Sequence, residues 1–198
     1  FDWERHISAE ARDYAAFREN EGRVDLGNRE VISFSSLAPD YHAFENDAFR
    51  RALNTVMVQE GSVLLAYGYT RGYEPFREFL REYLTGKGLR MEDQEVLVTS
   101  GFRQGAGLVV DTLVGGAVGV EAPTYNGFLG ILRARGAKTV PIECDAEGMI
   151  PAALEKAMAE QELRLVYLIP TYHNPTGRNM SLSRRREILR LCAEHDVP

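Results

Sequence analysis

Leu165-Val166-Tyr167-Leu168-Ile169-Pro170, continued at once by Thr171-Tyr172-His173-Asn174-Pro175-Thr176-Gly177, is the stretch that decides the fold. Its first half is an unbroken apolar run with β-branched and aromatic residues, stopped by a proline. That is the pattern of a strand buried on both faces inside a parallel sheet. The second half is turn chemistry: proline pushes the preceding Asn174 out of the helical region, and Gly177 can take positive φ. Ser181 and Ser183 are each suitable N-caps for a helix running through Arg184–Glu194. A polar amide is thereby held on a stiff turn at the carboxyl end of a buried strand, where open α/β sheets bind their ligands.

Working outward, strand and helix patterns alternate from Glu95 onward with short connections. Val96–Thr99, Ala117–Glu121 and Thr139–Ile142 read as strands. Gln104–Val114, Asn126–Arg135 and Pro151–Gln161 read as helices, the first apolar nearly all round and hence expected to be buried. This alternation predicts βαβ units in an α/β, doubly wound and mostly parallel sheet with helices on both faces. His195-Asp196-Val197-Pro198 reads as the turn into another strand.

Before Glu95 the pattern is helical. Phe49, Leu53 and Val56 mark one amphipathic helix over Asn46–Gln59; Phe76, Leu80 and Tyr83 mark a second over Tyr73–Thr85. Phe1–Asn20 reads as an arm with some helix, packed on a neighbour, and Val31–Phe34 as a short extended segment. The expected division is 1–45 as arm and loop segment, and 46–198 as the first part of a larger domain that continues beyond 198.

Composition excludes several classes. A net charge of −6 argues against a nucleic-acid surface, which needs clustered Lys and Arg. No apolar run approaches the roughly 18–20 residues of a membrane span, and no secretory signal is visible. Two cysteines, Cys144 and Cys192, fit reduced thiols in a cytoplasmic protein, without metal-ligand spacing.

Three further stretches could carry chemistry. Thr99-Ser100-Gly101-Phe102-Arg103-Gln104-Gly105 joins a strand pattern to a helix start, and the positive end of a helix dipole favours anions. Tyr125, in Pro123-Thr124-Tyr125, reads either as a core aromatic or as a ring facing the crevice. Tyr67, in Tyr67-Gly68-Tyr69-Thr70-Arg71-Gly72, reads on its own as a loop tyrosine.

Pro170-x-x-x-Asn174-Pro175-Thr176-Gly177 followed by Arg184-Arg185 closely resembles the signature of class I/II aminotransferases, pyridoxal-phosphate enzymes of fold type I. The resemblance runs from about Val31 to Val197. It implies that the turn Gly101-Phe102-Arg103 cradles the cofactor phosphate. Phe102 and Arg103 stand where Ser and Gln are customary, which removes a hydroxyl donor and adds a possible charge-assisted one. It implies that Tyr125 lies face-on to the pyridine, although Asn126 replaces the usual following proline. It gives Asn174 the task of donating to the pyridine 3′-oxygen and tuning the cofactor's protonation. It places Leu37, in Phe34–Asp40, on a substrate loop where glycine is usual. Tyr67 would reach the cofactor phosphate of a partner subunit in a homodimer. The substrates implied are an amino acid and a 2-oxo acid.

The lysine that carries the cofactor, the aspartate for the pyridine nitrogen and the carboxylate-clamping arginine are expected beyond 198, since Lys87, Lys138 and Lys156 are not placed for that role. His6, His42 and His195 read as solvated, and His173 as lining the crevice without acting as a base. Arg184-Arg185-Arg186 reads as a solvated first helical turn and not a nucleic-acid patch, opposed to the helix dipole and so expected to pair with acidic neighbours. A rival resemblance is to the aminotransferase-like sensor domain of MocR-type transcription factors, suggested by the opening Phe1-Asp2-Trp3-Glu4-Arg5.

Overall fold

A computed structural model of the chain describes Asp2 and residues 5–19, 41–113 and 115–198. Leu37, its loop Phe34–Asp40 and the segment Val31–Phe34 lie outside the described residues. By contacts the chain separates into two compact units, Phe1–Gly22 with Ser100–Pro198, and Arg23–Thr99.

The first unit is built on a four-stranded sheet in the order β3-β2-β1-β4, with β1 Ala117–Ala122, β2 Lys138–Asp145, β3 Gly148–Met149 and β4 Leu163–Tyr167. β1 lies between two parallel neighbours, pairing Val118 with Thr139 of β2 and Val120 with Tyr167 of β4. Alternate residues of a strand face opposite ways, so β1 serves two cores. Val118 and Val120 pack with Leu165 and with Val110, Phe128, Ile131 and Leu132. The last four come from helices α4 (Phe102–Leu113) and α5 (Asn126–Arg133). Ala117 packs the other way, with Ile142, Met149, Leu163 and the side chains of Leu154, Ile188 and Leu191. Those three belong to α6 (Pro151–Glu160) and α7 (Leu182–Glu194). The doubly wound α/β arrangement is therefore present. An irregularity in the β1–β4 register at Ala117/Val118 lets Leu163 and Leu165, two residues apart, enter opposite cores.

The arm forms α1 (Ala9–Glu19) and packs on α5. The Arg133 guanidinium sits 4.9 Å from the Phe17 ring centre and 3.2 Å from Asp13. At the far end, Val197 is buried and the N–H of Val166 donates to Pro198 O at 2.8 Å, so the last residues run beside β4.

The second unit carries α2 (Asn46–Leu64), interrupted at Gly61, and α3 (Glu74–Gly86). Val96–Thr99, expected as a strand, forms none. Non-strand partners meet the backbone of this segment and of the residues just before it. Arg77, buried on α3, donates to Val96 O at 2.7 Å, Arg81 donates to Gln94 O at 2.7 Å, and Val98 N–H donates to Arg71 O at 3.0 Å. A fourth strand exists elsewhere: β3 turns back on β2 as a two-residue antiparallel hairpin that has no periodicity to read.

α4 departs from expectation too. Only Gly107 and Val110 are buried, while Leu108, Val109 and Leu113 stay exposed. One face of α4 packs through Val110 against β1, and Leu108, Val109 and Leu113 lie on its exposed side. Of the arginines opening α7, Arg186 is exposed as expected, whereas Arg184 and Arg185 are partly buried and engaged. Arg184 grips Asp145 through both carboxylate oxygens at 3.2 and 3.0 Å and donates to Met149 O at 2.9 Å. That grip holds the Asp145 carboxyl below its usual range. Arg185 donates to Met180 O at 2.9 Å, to Pro170 O at 2.6 Å and to Thr171 Oγ1 at 2.9 Å.

Arg185 thus closes both feet of the turn that follows β4. Arg185→Ala is expected to lower unfolding stability by about 2 kcal/mol, because carbonyls built around a charged donor lose it. Arg186→Ala, on the exposed face, should stay within about 0.5 kcal/mol. Denaturant melts of the two variants against the parent measure both.

Candidate functional site

The carboxyl ends of β1 and β4 are neighbours and point the same way, so the segments leaving them emerge side by side. Behind β1 the chain turns through Pro123 and Thr124, and Tyr125 stands in extended conformation as the residue before α5. Behind β4 it makes a tight excursion over 170–180. Proline precludes helix at Asn174, and positive φ is taken up by Gly177 (71°) and Tyr172 (49°). Four hydrogen bonds fix this turn: His173 N–H to Arg178 O at 2.9 Å, Gly177 N–H to His173 O at 2.5 Å, Met180 N–H to Pro170 O at 2.9 Å, and Tyr172 N–H to Asn179 Oδ1 at 2.7 Å. Ser181 then caps α7, its hydroxyl accepting from Arg184 N–H at 3.3 Å. Asn174 itself is half-buried, and its side-chain amide makes no hydrogen bond among the described residues.

An aromatic cluster connects the other expected positions. Gly101 (φ 81°) makes the turn into α4, and Phe102 is its first helical residue. The Phe102 ring is tilted against Tyr125 at 5.9 Å, Phe128 at 6.3 Å and Tyr167 at 6.0 Å; Phe128 stacks on Tyr167 at 3.8 Å. Burial, with Glu121 and Tyr125 adding to it, pushes the Tyr167 hydroxyl up to about 12, so it stays a neutral phenol at physiological pH. Tyr125 folds back over Gly127, where any Cβ would run into its ring.

Arg103 is turned toward the arm and donates to the Tyr14 hydroxyl at 2.7 Å. Gln104 reaches back to accept from Ser100 N–H at 2.5 Å. Tyr67 belongs to the other unit, with its side chain fully exposed. The structure therefore gathers Gly101, Phe102 and Tyr125 around one aromatic cluster and puts Asn174 on the turn behind the adjacent strand. Lys138 donates to Gln161 at 2.7 Å, Lys156 is exposed on α6 and Lys87 lies over the Tyr83 ring.

Sequence reasoning passed over a buried pair of titratable side chains. Glu121, at the end of β1, is 2% exposed and His173 is 7% exposed. Oε2 of Glu121 accepts from Ile169 N–H at 2.7 Å and lies 3.2 Å from Nε2 of His173. That second approach is not an aligned hydrogen bond, and Nε2 has no hydrogen-bond partner among the described residues. Burial pushes the Glu121 carboxyl up, against the Ile169 N–H and the imidazole, which pull it down. The signal was readable: a glutamate inside Val118-Gly119-Val120-Glu121-Ala122 is a charge in a buried strand, which requires a partner.

A sequence model of the family described as aminotransferase class I and II matches residues 29–198. The 2-aminoadipate transaminase of Thermus thermophilus is 32% identical over 169 residues, covering 84% of this chain and 41% of that protein. The HTH-type transcriptional regulator YdfD of Bacillus subtilis is 33% identical over 201 residues, covering 100% of this chain and 41% of that protein. Among solved structures, the kynurenine aminotransferase of Pyrococcus horikoshii in complex with PMP superposes with a TM-score of 0.86 at 29% identity, covering 99% of this chain and 50% of that one. The chain spans about half the length of that enzyme and about two-fifths of the two other relatives.

A carboxyl whose folded pKa lies above its unfolded value stabilises the fold below the unfolded pKa and loses that contribution as pH rises through the folded one. Glu121→Gln cannot ionise and escapes the loss. Its stability relative to the parent should therefore rise as pH climbs above the ordinary glutamate range, about 4, and through the raised folded-state pKa. Denaturation midpoints taken across that range check the sign; a difference independent of pH would remove burial as the governing effect.

Proposed function

The chain belongs to the class I and II aminotransferase family, and from that premise we propose that it forms part of a pyridoxal-phosphate-dependent aminotransferase, moving an amino group from an amino acid to a 2-oxo acid. The observation that carries the reading is the pair of segments leaving adjacent parallel strand ends, one bearing Tyr125 and the other Asn174. The residues present fit the cofactor: a half-buried amide without a partner, an aromatic ring beside it in the sheet order, and a glycine turn opening a helix.

Bound pyridoxal phosphate supplies an electron sink for breaking a bond at the substrate α-carbon. Asn174 would donate its amide N–H to the ring 3′-oxygen and hold that oxygen's charge, which an aspartate would repel and an alanine would leave unanswered. Tyr125 would lie against the pyridine, and Gly101, Phe102 and Arg103 would receive the phosphate at the positive end of α4. Tyr67, fully exposed on its own unit, would reach the phosphate of a second copy, which makes the working form a homodimer. Leu37 would narrow the substrate loop. Lys138 donates to Gln161 and Lys156 is exposed on α6, away from the Tyr125 and Asn174 segments, and the reading takes the proton-moving lysine from the full-length protein. A cytoplasmic location completes the reading.

A second reading has its own observation. The likeness to YdfD runs the length of this chain, and the same site would then sense an effector for a MocR-type regulator. A basic helix-turn-helix of about 60–70 residues upstream of Phe1 would favour the regulator.

Full-length protein is expected to take up pyridoxal phosphate with a visible absorbance band that shifts on adding an amino acid; no bound chromophore would count against the reading. Asn174→Ala should retain the cofactor but move the pH midpoint of the band by about a unit or more. Tyr125→Ala should weaken retention by about 1 kcal/mol, roughly fivefold in the dissociation constant.

A further inference from the structure

Glu121 ties together points that the proposed site needs in register. Its Oε2 receives the N–H of Ile169 where β4 gives way to the turn, and faces Nε2 of His173. The other imidazole nitrogen, Nδ1, lies 2.8 Å from Oγ1 of Thr176. A line of polar contacts thus runs from the end of β1, through the ring, to the hydroxyl two residues past Asn174. The same residues border a cavity of about 40 Å³ closed by Cys144, Arg178 and Met180, large enough for water and too small for a substrate. The ionisable groups bordering the same cavity are Cys144 from β2 and Arg178 from the turn.

Stability alone does not account for such a pair, because apolar side chains of similar volume hold a core as well or better. What the pair adds is direction. An imidazole hydrogen-bonded through Nδ1 to Thr176 and faced at 3.2 Å by the Glu121 carboxyl on its Nε2 side is restricted about χ2, and its Cα is one peptide unit from Asn174. We infer that Glu121 and His173 are positioning residues for Asn174: the carboxylate orients the imidazole, the imidazole braces the 173–176 turn, and the turn aims the amide. This inference rests on the reading of Asn174 as a cofactor contact.

The test uses the full-length protein loaded with pyridoxal phosphate. His173→Ala should shift the pH midpoint of the cofactor band in the direction set by Asn174→Ala, by about half a unit or more. His173→Gln, whose amide can also bridge Glu121 and Thr176, should restore most of that shift. A His173→Ala protein that only melts earlier, with the midpoint unmoved, overturns the inference. Independently of cofactor, ¹⁵N-histidine NMR of the parent and Glu121→Gln should show the Nε2 resonance of His173 displaced in the variant. An undisplaced resonance breaks the Glu121–His173 link, and it does so even where His173→Ala fails to fold. Failure of the parent protein to bind pyridoxal phosphate sinks the proposed function, and the NMR comparison still decides whether the carboxylate holds the ring.

Discussion

The parallel pairing of β1 with β4 governs the candidate site. Parallel strands deliver their carboxyl ends to the same edge of the sheet, so Tyr125 and Asn174, far apart in sequence, hang from adjacent strand ends. The pairing also sorts chemistry by face. Val120 and Tyr167 lie opposite each other, and the aromatic cluster of Phe102, Tyr125, Phe128 and Tyr167 forms on the α4–α5 side. Glu121, one residue on, points away from that cluster toward Ile169, Met180 and His173. A slip of one residue in β1 would exchange the two faces, burying the valines against the turn and leaving the carboxylate among the rings.

Much of the first unit was legible because its signals are local and redundant. The apolar runs at 117–121 and 165–169, the helix starts at Asn126 and Pro151, and the Ser181 cap are each set by a few neighbouring residues, and all of them point to βαβ winding. The strand assigned to Val96–Thr99 failed for a reason that periodicity does not encode. The Arg77 side chain donates to Val96 O, the Arg71 carbonyl accepts from Val98 N–H, and Arg81 donates to Gln94 O just before the segment; a strand pattern says nothing about which partners satisfy the backbone. β3 is two residues long, below the length at which alternation can be seen. The site was legible as a set of positions more than as contacts. His173 read as a bystander because its partner, Glu121, lies on another strand.

The arginines at the start of α7 show how a locally unfavourable choice is made tolerable by tertiary contacts. Positive charge at a helix N-terminus opposes the dipole. Arg184 answers this by a two-pronged grip on Asp145 at the end of β2, and Arg185 by turning back onto carbonyls of the turn it follows. Each therefore fastens α7 to the edge where the candidate site lies. The helix packed under the sheet and the turn above it become one mechanical piece.

Phe102 changes how an anion at this edge would be held. A serine there would offer a hydroxyl. The phenylalanine instead gives its ring to Tyr125, Phe128 and Tyr167, while the neighbouring Arg103 is engaged by Tyr14 of the arm. On the proposed reading, phosphate recognition at this turn then leans on backbone N–H groups and the positive end of α4, which are fixed in direction by the helix. What the turn loses in side-chain donors it gains in rigidity. The ring that would lie against the pyridine is itself braced by Phe102 on one side and by the bare backbone of Gly127 on the other.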